Sequence, residues 1–354
     1  MTPYLILLAL LVFFAYGSRL IKGDAGVRNA SIFIVSFLLI LFQGVRDRLV
    51  GTDTGVYVRR FEFVSSTADI WRSTEIGYNA LNVYLSLLFD SYSALLIAVA
   101  AIVVGAYALG ITMMVKRYEL ALFLFVTLGV YTLPFNATRQ GIAVAICFLA
   151  LPWLLRRRPL PYFFLVGLAA LFHHTAIIAA PLYLVVMARV DWRYVTGVAI
   201  GTVLLTAGFS TVVQLSARLL SDAYSVYADE HAGGGGLMAT FLVAQGVCLY
   251  FLRPRNNGDQ ENYSRLFSIY LIGLIPALAS VMLSVNPSGV LRLHFYFSHV
   301  AILLWPIALN QIKSARLRTL IYSGLVLVVL SFFFLTTTTF SNLTPYRINP
   351  ELLN

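Results

Sequence analysis

Long apolar runs alternate along this chain with short polar gaps. Tyr4–Leu20, Ser31–Val45 and Ala94–Val115 come first. Leu120–Leu133, Gly141–Leu155, Pro161–Phe172, Thr175–Met187 and Val195–Val213 follow, and then Leu237–Leu252, Leu266–Ser284, Leu291–Asn310 and Thr319–Thr336. A helix crosses a bilayer with about 20 apolar residues, and most of these runs approach that length. The pattern predicts an all-α, polytopic integral membrane protein with about 10–12 transmembrane helices in one domain over 1–354. The higher count holds if both short runs around His173-His174 cross, the lower if they only re-enter.

Two stretches carry a different period. In Gly77–Asp90, Asn79, Asn82, Ser86 and Asp90 form one stripe, and Leu81, Leu85 and Leu88 form the other. That pattern predicts a helix lying in the interface, its asparagines towards water or glycan, within an outer loop spanning 46–93. Between Val213 and Leu237, Leu215, Leu219 and Leu220 oppose Gln214, Arg218, Ser221 and Asp222. This second amphipathic loop, 214–236, ends in Gly233–Gly236, which reads as a hinge or as a plain surface loop.

The sharpest polar break is Pro134-Phe135-Asn136-Ala137-Thr138-Arg139-Gln140, set between two apolar runs. An arginine at membrane depth is costly and by default marks a cavity or pathway. Composition agrees with the class: 60% of the 354 residues are hydrophobic and 11% charged, so no room is left for a soluble domain. Cys147 and Cys248 both fall in apolar runs and read as small core residues. The first run reads as an anchor that stays, since neither a basic start nor a small-residue cleavage site accompanies it.

Net charge of +10 would suggest nucleic acid in a soluble protein; here it reads as charge sorting across a membrane, with no nucleic acid partner. With the first loop inside and Gly77–Asp90 not crossing, Arg19, Lys116, Arg117 and Arg156–Arg158 fall on the basic-rich inner side, and both termini lie outside. Arg46, Arg48, Arg59, Arg60, Arg72, Arg139, Arg218, Arg292 and Arg347 fall outside. All three lysines lie inside, so every outer basic residue is an arginine, the residue suited to forked contacts with phosphate.

The five histidines, His173, His174, His231, His294 and His299, fall outside or in outer halves of runs. Arg292, Tyr296 and His299 are spaced to share a helix face. Asp53 reads either as a base or orienter or as a turn residue capping local backbone. Glu62 and Glu75 read as solvated loop acids. Tyr57, Tyr131 and Tyr346 are candidates for stacking on sugars. The chain carries no HExxH, Walker loop, DxD or paired cysteines, so the simplest reading needs no metal and no cofactor.

Several segments together resemble the EpsG family, which is related to Wzy-type polymerases of bacterial O-antigen and exopolysaccharide. Arg46-Asp47-Arg48-Leu49-Val50-Gly51-Thr52-Asp53-Thr54-Gly55-Val56-Tyr57 resembles its first block, with a doubled arginine at Arg46 and Arg48. Phe135–Ala143, containing Arg139 and Gln140, resembles its second. Phe172–Ile177 resembles its histidine block, with His173 at the matching position and His174 at a variable one. Arg292 before Tyr296-Phe297, and Pro345-Tyr346-Arg347, resemble the last two, and all stand in family order.

The resemblance implies an enzyme of the bacterial inner membrane, working on its extracytoplasmic face. Its partners would be polyprenyl-diphosphate-linked oligosaccharides, membrane lipid and a chain-length regulator. Catalysis would rest on His173, Arg139 and Asp53, and Arg46, Arg48, Arg292, Gln140, Tyr57, His174 and Arg347 would hold diphosphate or glycan. Arginines suit a leaving diphosphate, and histidine suits a general base near neutral pH. Two rival classes are a membrane acyltransferase that decorates glycans and a lipid-linked glycan flippase. The flippase would favour two related halves, and the chain shows no convincing internal repeat.

Overall fold

The computed structural model describes residues 1–20, 25–64, 66–72, 74–186, 190–208, 211, 235–254, 260–284 and 289–352. The amphipathic loop expected at 214–236 lies, but for its last two residues, outside the described residues, as do Lys22, Arg189, Arg218, His231 and Arg255.

Among the described residues the chain is helical, with one isolated antiparallel β-bridge joining Arg46 to Ile348. The helices are α1 Thr2–Leu20, α2 Ala25–Gly44, α3 Thr54–Glu62, α4 Ile76–Leu88, α5 Ser93–Met114 and α6 Tyr118–Thr127. Next come α7 Leu133–Asn136, α8 Thr138–Leu155, α9 Pro159–Phe172, α10 Leu182–Val185 and α11 Trp192–Ala207. The last are α12 Gly236–Phe251, α13 Gln260–Ile272, α14 Leu274–Leu283, α15 Phe295–Ser298, α16 Ala301–Asn310 and α17 Ala315–Leu335.

Among the described residues, seven helical segments are long and apolar enough to cross a bilayer: Thr2–Arg19, Ala25–Gly44, Ser93–Met114, Thr138–Leu155, Gln260–Leu283, Val290–Asn310 and Ala315–Phe340. Four shorter apolar segments, Tyr118–Thr127, Pro159–Phe172, His174–Val185 and Gly236–Phe251, bring the candidates to eleven. The chain is therefore a polytopic all-α membrane protein. Some expected runs are shorter than their apolar composition suggests. Leu120–Leu133 yields only α6, because the backbone turns at Gly129 with φ +77° and Pro134 opens a separate short helix. Thr175–Met187 becomes a 3-10 turn, His174–Ala179, and the single turn of α10 after Pro181.

Packing divides the chain into two compact units, Met1–Ile177 with Ser314–Asn354, and Ile178–Lys313. In the first, α8 is the central helix, buried along most of its length between α5 and α9. Its two ends are distinct. At one end, Glu119 pairs with Arg19 and Arg117, and Tyr16 meets Tyr322. At the other, the tail after α17 crosses the ends of α1, α2 and α5. The Tyr4 hydroxyl donates to Leu343 O at 2.9 Å, Asn349 N to Val45 O at 2.8 Å, and Asn349 Nδ2 to Ser93 Oγ at 2.9 Å. The end of α2 and the start of α5 thus share one end of the unit, so the segment between them, including α4, does not cross.

The face of α4 is opposite to that expected. Asn79 and Asn82 are buried, and Tyr84, Leu87 and Leu88 are uncovered. The period was legible; its sense inverts because a helix of a membrane protein can turn its apolar stripe to lipid and its polar stripe to the protein.

In the second unit, the buried Tyr263 and Tyr270 and the half-buried Tyr194 donate to helix carbonyls. Tyr263 reaches Leu249 O at 2.7 Å, Tyr270 reaches Leu242 O at 2.6 Å, and Tyr194 reaches Ser268 O at 2.9 Å. Such bonds satisfy hydroxyls that lipid could not. Cys147 is buried and Cys248 exposed, and neither forms a disulfide.

Candidate functional site

The tail end of the first unit brings together segments far apart in sequence. Asn136 is the fastener: its Oδ1 accepts from Thr52 N at 2.7 Å and its Nδ2 donates to Ser341 O at 2.8 Å. Thr54 Oγ1 lies 2.8 Å from Phe135 O and 2.7 Å from Val50 O. Gly51 sits between them with φ +101°, and a Cβ there would stand 2.7 Å from both Asn136 Oδ1 and Phe135 O. Only glycine meets both demands. The block at 46–57 and the block at 135–143 are therefore two halves of one buried joint.

Beside this joint stands a charged cluster. Glu75, at the N-cap of α4, is 5% exposed. One carboxylate oxygen accepts from Arg139 in the first turn of α8, and the other meets His173 Nδ1 at 2.5 Å. α4 is close enough because Gly77 touches α9: a Cβ there would lie 3.1 Å from Leu171 backbone. His173 follows directly as the C-cap of α9, in extended conformation. Burial pushes the Glu75 carboxyl up, but His173 and Arg139 outweigh it and hold the group below the usual carboxylate range.

The expected solvated acid at Glu75 is thus corrected. It is a buried carboxylate bridging two sequence-predicted site residues, 64 and 98 positions away. Its partners reach outward, with side chains 34% exposed for Arg139 and 19% for His173. Arg139 Nε is buried without a hydrogen-bond partner among the described residues. Tyr57 stands over the guanidinium, 6.0 Å from its ring centroid, and stacks edge-on against Tyr78. Asp53 is the N-cap residue of α3, four residues before Tyr57 and on the same helical face. Its side chain makes no N-cap bond to α3. Gln140 is buried beside Arg139, and His174 Nε2 meets Thr74 Oγ1 at 2.6 Å.

The remaining predicted residues separate. Arg46 turns inward, 1% exposed, donating to Gln43 O at 2.5 Å with its guanidinium 4.2 Å from the Phe135 ring centroid. Burial lowers its pKa to about 10, so it stays charged at neutral pH. Arg48 turns outward onto Glu62 at 2.5 Å and over Tyr92. Tyr131 and Tyr346 donate to Leu39 O and Phe42 O, and Arg347 is exposed on the tail. Arg292 belongs to the second unit. Residues 290–298 form a 3-10 turn and then one α-helical turn, not the continuous helix whose face Arg292, Tyr296 and His299 would share. Tyr296 and His299 are buried, whereas Arg292 is half-buried.

A carboxylate that holds Nδ1 of a histidine fixes the ring and its tautomer, so Nε2 presents a lone pair to a proton. Arginine beside it supplies a positive, forked donor where water is limited. No group of three or more potential metal ligands occurs among the described residues. The pair suits proton abstraction from a hydroxyl next to a bound anion.

The sequence model of the EpsG family matches residues 30–348. No curated protein matches the chain, and no solved structure does.

Proposed function

This chain belongs to the EpsG family, and on that premise we propose that it polymerises lipid-linked oligosaccharide repeat units on the extracytoplasmic face of a bacterial inner membrane. The growing glycan sits on polyprenyl diphosphate. A sugar hydroxyl of the incoming unit attacks the anomeric carbon of that glycan. The new carbon–oxygen bond forms, the bond to diphosphate breaks with its electron pair on the leaving group, and the hydroxyl proton passes to His173 Nε2. Arg139 neutralises charge developing on the diphosphate, and Glu75 keeps His173 in the reactive tautomer. Arg48, on the surface of the same unit, guides the anion in.

The observation that supports this reading best is the Glu75 bridge between Arg139 and His173, because it unites two family blocks into one acid–base and anion-binding arrangement. Charge supports the outward assignment: the opposite end of the first unit carries Arg19, Arg28, Lys116, Arg117, Arg156–Arg158, Arg316 and Arg318, more basic residues than the site end, and basic-rich loops tend to stay inside.

Deleting the gene tests the function: single repeat units should accumulate on their lipid carrier, and longer glycans should return with the wild-type chain. Accumulation of units confined to the inner leaflet would instead indicate a flippase. Single cysteines beside Arg139 and His173, with Cys147 and Cys248 replaced, should react with an impermeant reagent in intact cells. Reaction only after the cytoplasmic face is opened would reverse the orientation.

A further inference from the structure

The polar stripe of α4 does not end at Glu75. Asn79 and Asn82 follow at i+4 and i+7 on the same face, about 6 and 10 Å further along the helix axis. They line a cleft of about 90 Å³ together with Arg60, Phe63, Asp69 and Val83. Its polar wall is organised. Arg60 donates to Asn79 Oδ1 at 2.5 Å, Asn79 Nδ2 donates to Ile70 O at 3.0 Å, and Asp69 Oδ2 takes the Ser66 amide at 3.3 Å. Asn82 is only 2% exposed, yet its Oδ1 has no hydrogen-bond partner among the described residues. A buried amide oxygen left unpaired in a cleft is costly unless a ligand or water completes it.

We propose that this cleft is a saccharide subsite, in which Asn82, Asp69 and Arg60 bind hydroxyls of the sugar next to the reacting unit. The inference rests on the polymerase reading for the role of that sugar, but not for its chemistry. Amide, carboxylate and guanidinium groups together both donate and accept, as vicinal hydroxyls require. Val83 supplies an apolar wall, and Phe63, 78% exposed, presents a ring at the cleft. A diphosphate is a poorer occupant, because Asp69 would repel it. The uncovered apolar face of α4, with Tyr84, Leu87 and Leu88, suits contact with lipid, so the cleft lies within reach of a lipid-tethered glycan.

The test uses full-length protein in nanodiscs and two probes: the oligosaccharide repeat unit released from its lipid carrier by mild acid, and polyprenyl diphosphate without sugar. Asn82→Ala should weaken oligosaccharide binding about tenfold, the loss expected for one hydrogen bond, whereas Asn82→Asp, which keeps an accepting oxygen in place of Oδ1, should retain it. Polyprenyl diphosphate binding and melting temperature should stay unchanged. In turnover, KM for the lipid-linked unit should rise while kcat changes little. Equal loss of both probes with a fall in melting temperature would make the asparagine structural and overturn the subsite. Wild-type protein that binds no oligosaccharide would overturn it too, leaving a cleft that holds only water. If wild type binds the oligosaccharide but never lengthens a lipid-linked glycan, the subsite stands and the polymerase reading fails.

Discussion

Glu75→Gln perturbs the site at its hinge. The change keeps the shape of the side chain and removes its charge, so no cavity forms. Breaking a buried ion pair from one side costs about 3–5 kcal/mol when both partners are buried. Here the carboxylate is 5% exposed but Arg139 is 34% exposed, and solvent screens that half of the interaction. A loss of about 2–3 kcal/mol in stability follows. The effect on chemistry is larger. An amide oxygen can still accept from one partner, but it no longer stabilises a protonated imidazole. In a serine protease the isosteric loss of the orienting carboxylate costs about 10⁴ in turnover. Arg139 is retained in this variant and even released, so a drop of about 10²–10⁴ in kcat with little change in KM is expected. The assay measures initial rates with lipid-linked repeat units, read as glycan ladders, alongside a thermal melt of the same preparation. Turnover within about threefold of wild type, with an unshifted melt, would refute the role assigned to Glu75.

Other outcomes follow from the same geometry. Arg46→Ala should lower melting temperature and abundance well beyond Arg48→Ala, since the first empties a buried site and the second breaks a surface pair worth about 0–1 kcal/mol; equal effects would contradict the inward placement. Gly51→Ala should destabilise the joint by at least about 1–2 kcal/mol, from a left-handed residue and a Cβ against Asn136 and Phe135, seen as a lower melting temperature; an unshifted melt would contradict the close approach. The Glu75 carboxyl is held below its ordinary value of 4.5, so its contribution is complete above that pH and is lost as pH falls through the folded value. The melting difference between wild type and Glu75→Gln should therefore be constant at neutral pH and shrink on acidification, and a difference that grows in acid would reverse the sign.

The membrane architecture was legible because bilayer length writes itself into runs of apolar residues. The positions of Arg139 and His173 were legible as polar interruptions. Glu75 was not, because a single acid in a polar loop looks solvated, and its partners are distant in sequence. A signal did exist: Glu75, Asn79 and Asn82 fall at i, i+4 and i+7, so the acid begins a polar stripe whose other members are buried. The sense of that stripe depends on which face meets lipid, and periodicity alone is symmetric between the two choices. Arg46 and Arg48 could not be separated in sequence either. Their opposite directions come from the tail, whose bridge at Ile348 closes over one arginine and leaves the other outside.

The central claim is that the Glu75–Arg139–His173 cluster performs glycan transfer, and single-turnover chemistry tests it most directly. Purified protein in proteoliposomes would receive polyprenyl-diphosphate-linked repeat units, and the release of polyprenyl diphosphate and the lengthening of glycan would be followed together. The account predicts that wild type lengthens the glycan with one lipid diphosphate released per unit added. His173→Ala should bind the lipid-linked unit normally and release nothing, His174→Ala should stay close to wild type, and Asp53→Asn should retain turnover. Near-normal turnover by His173→Ala, with Asp53→Asn inactive, would move the base to Asp53 and contradict the account.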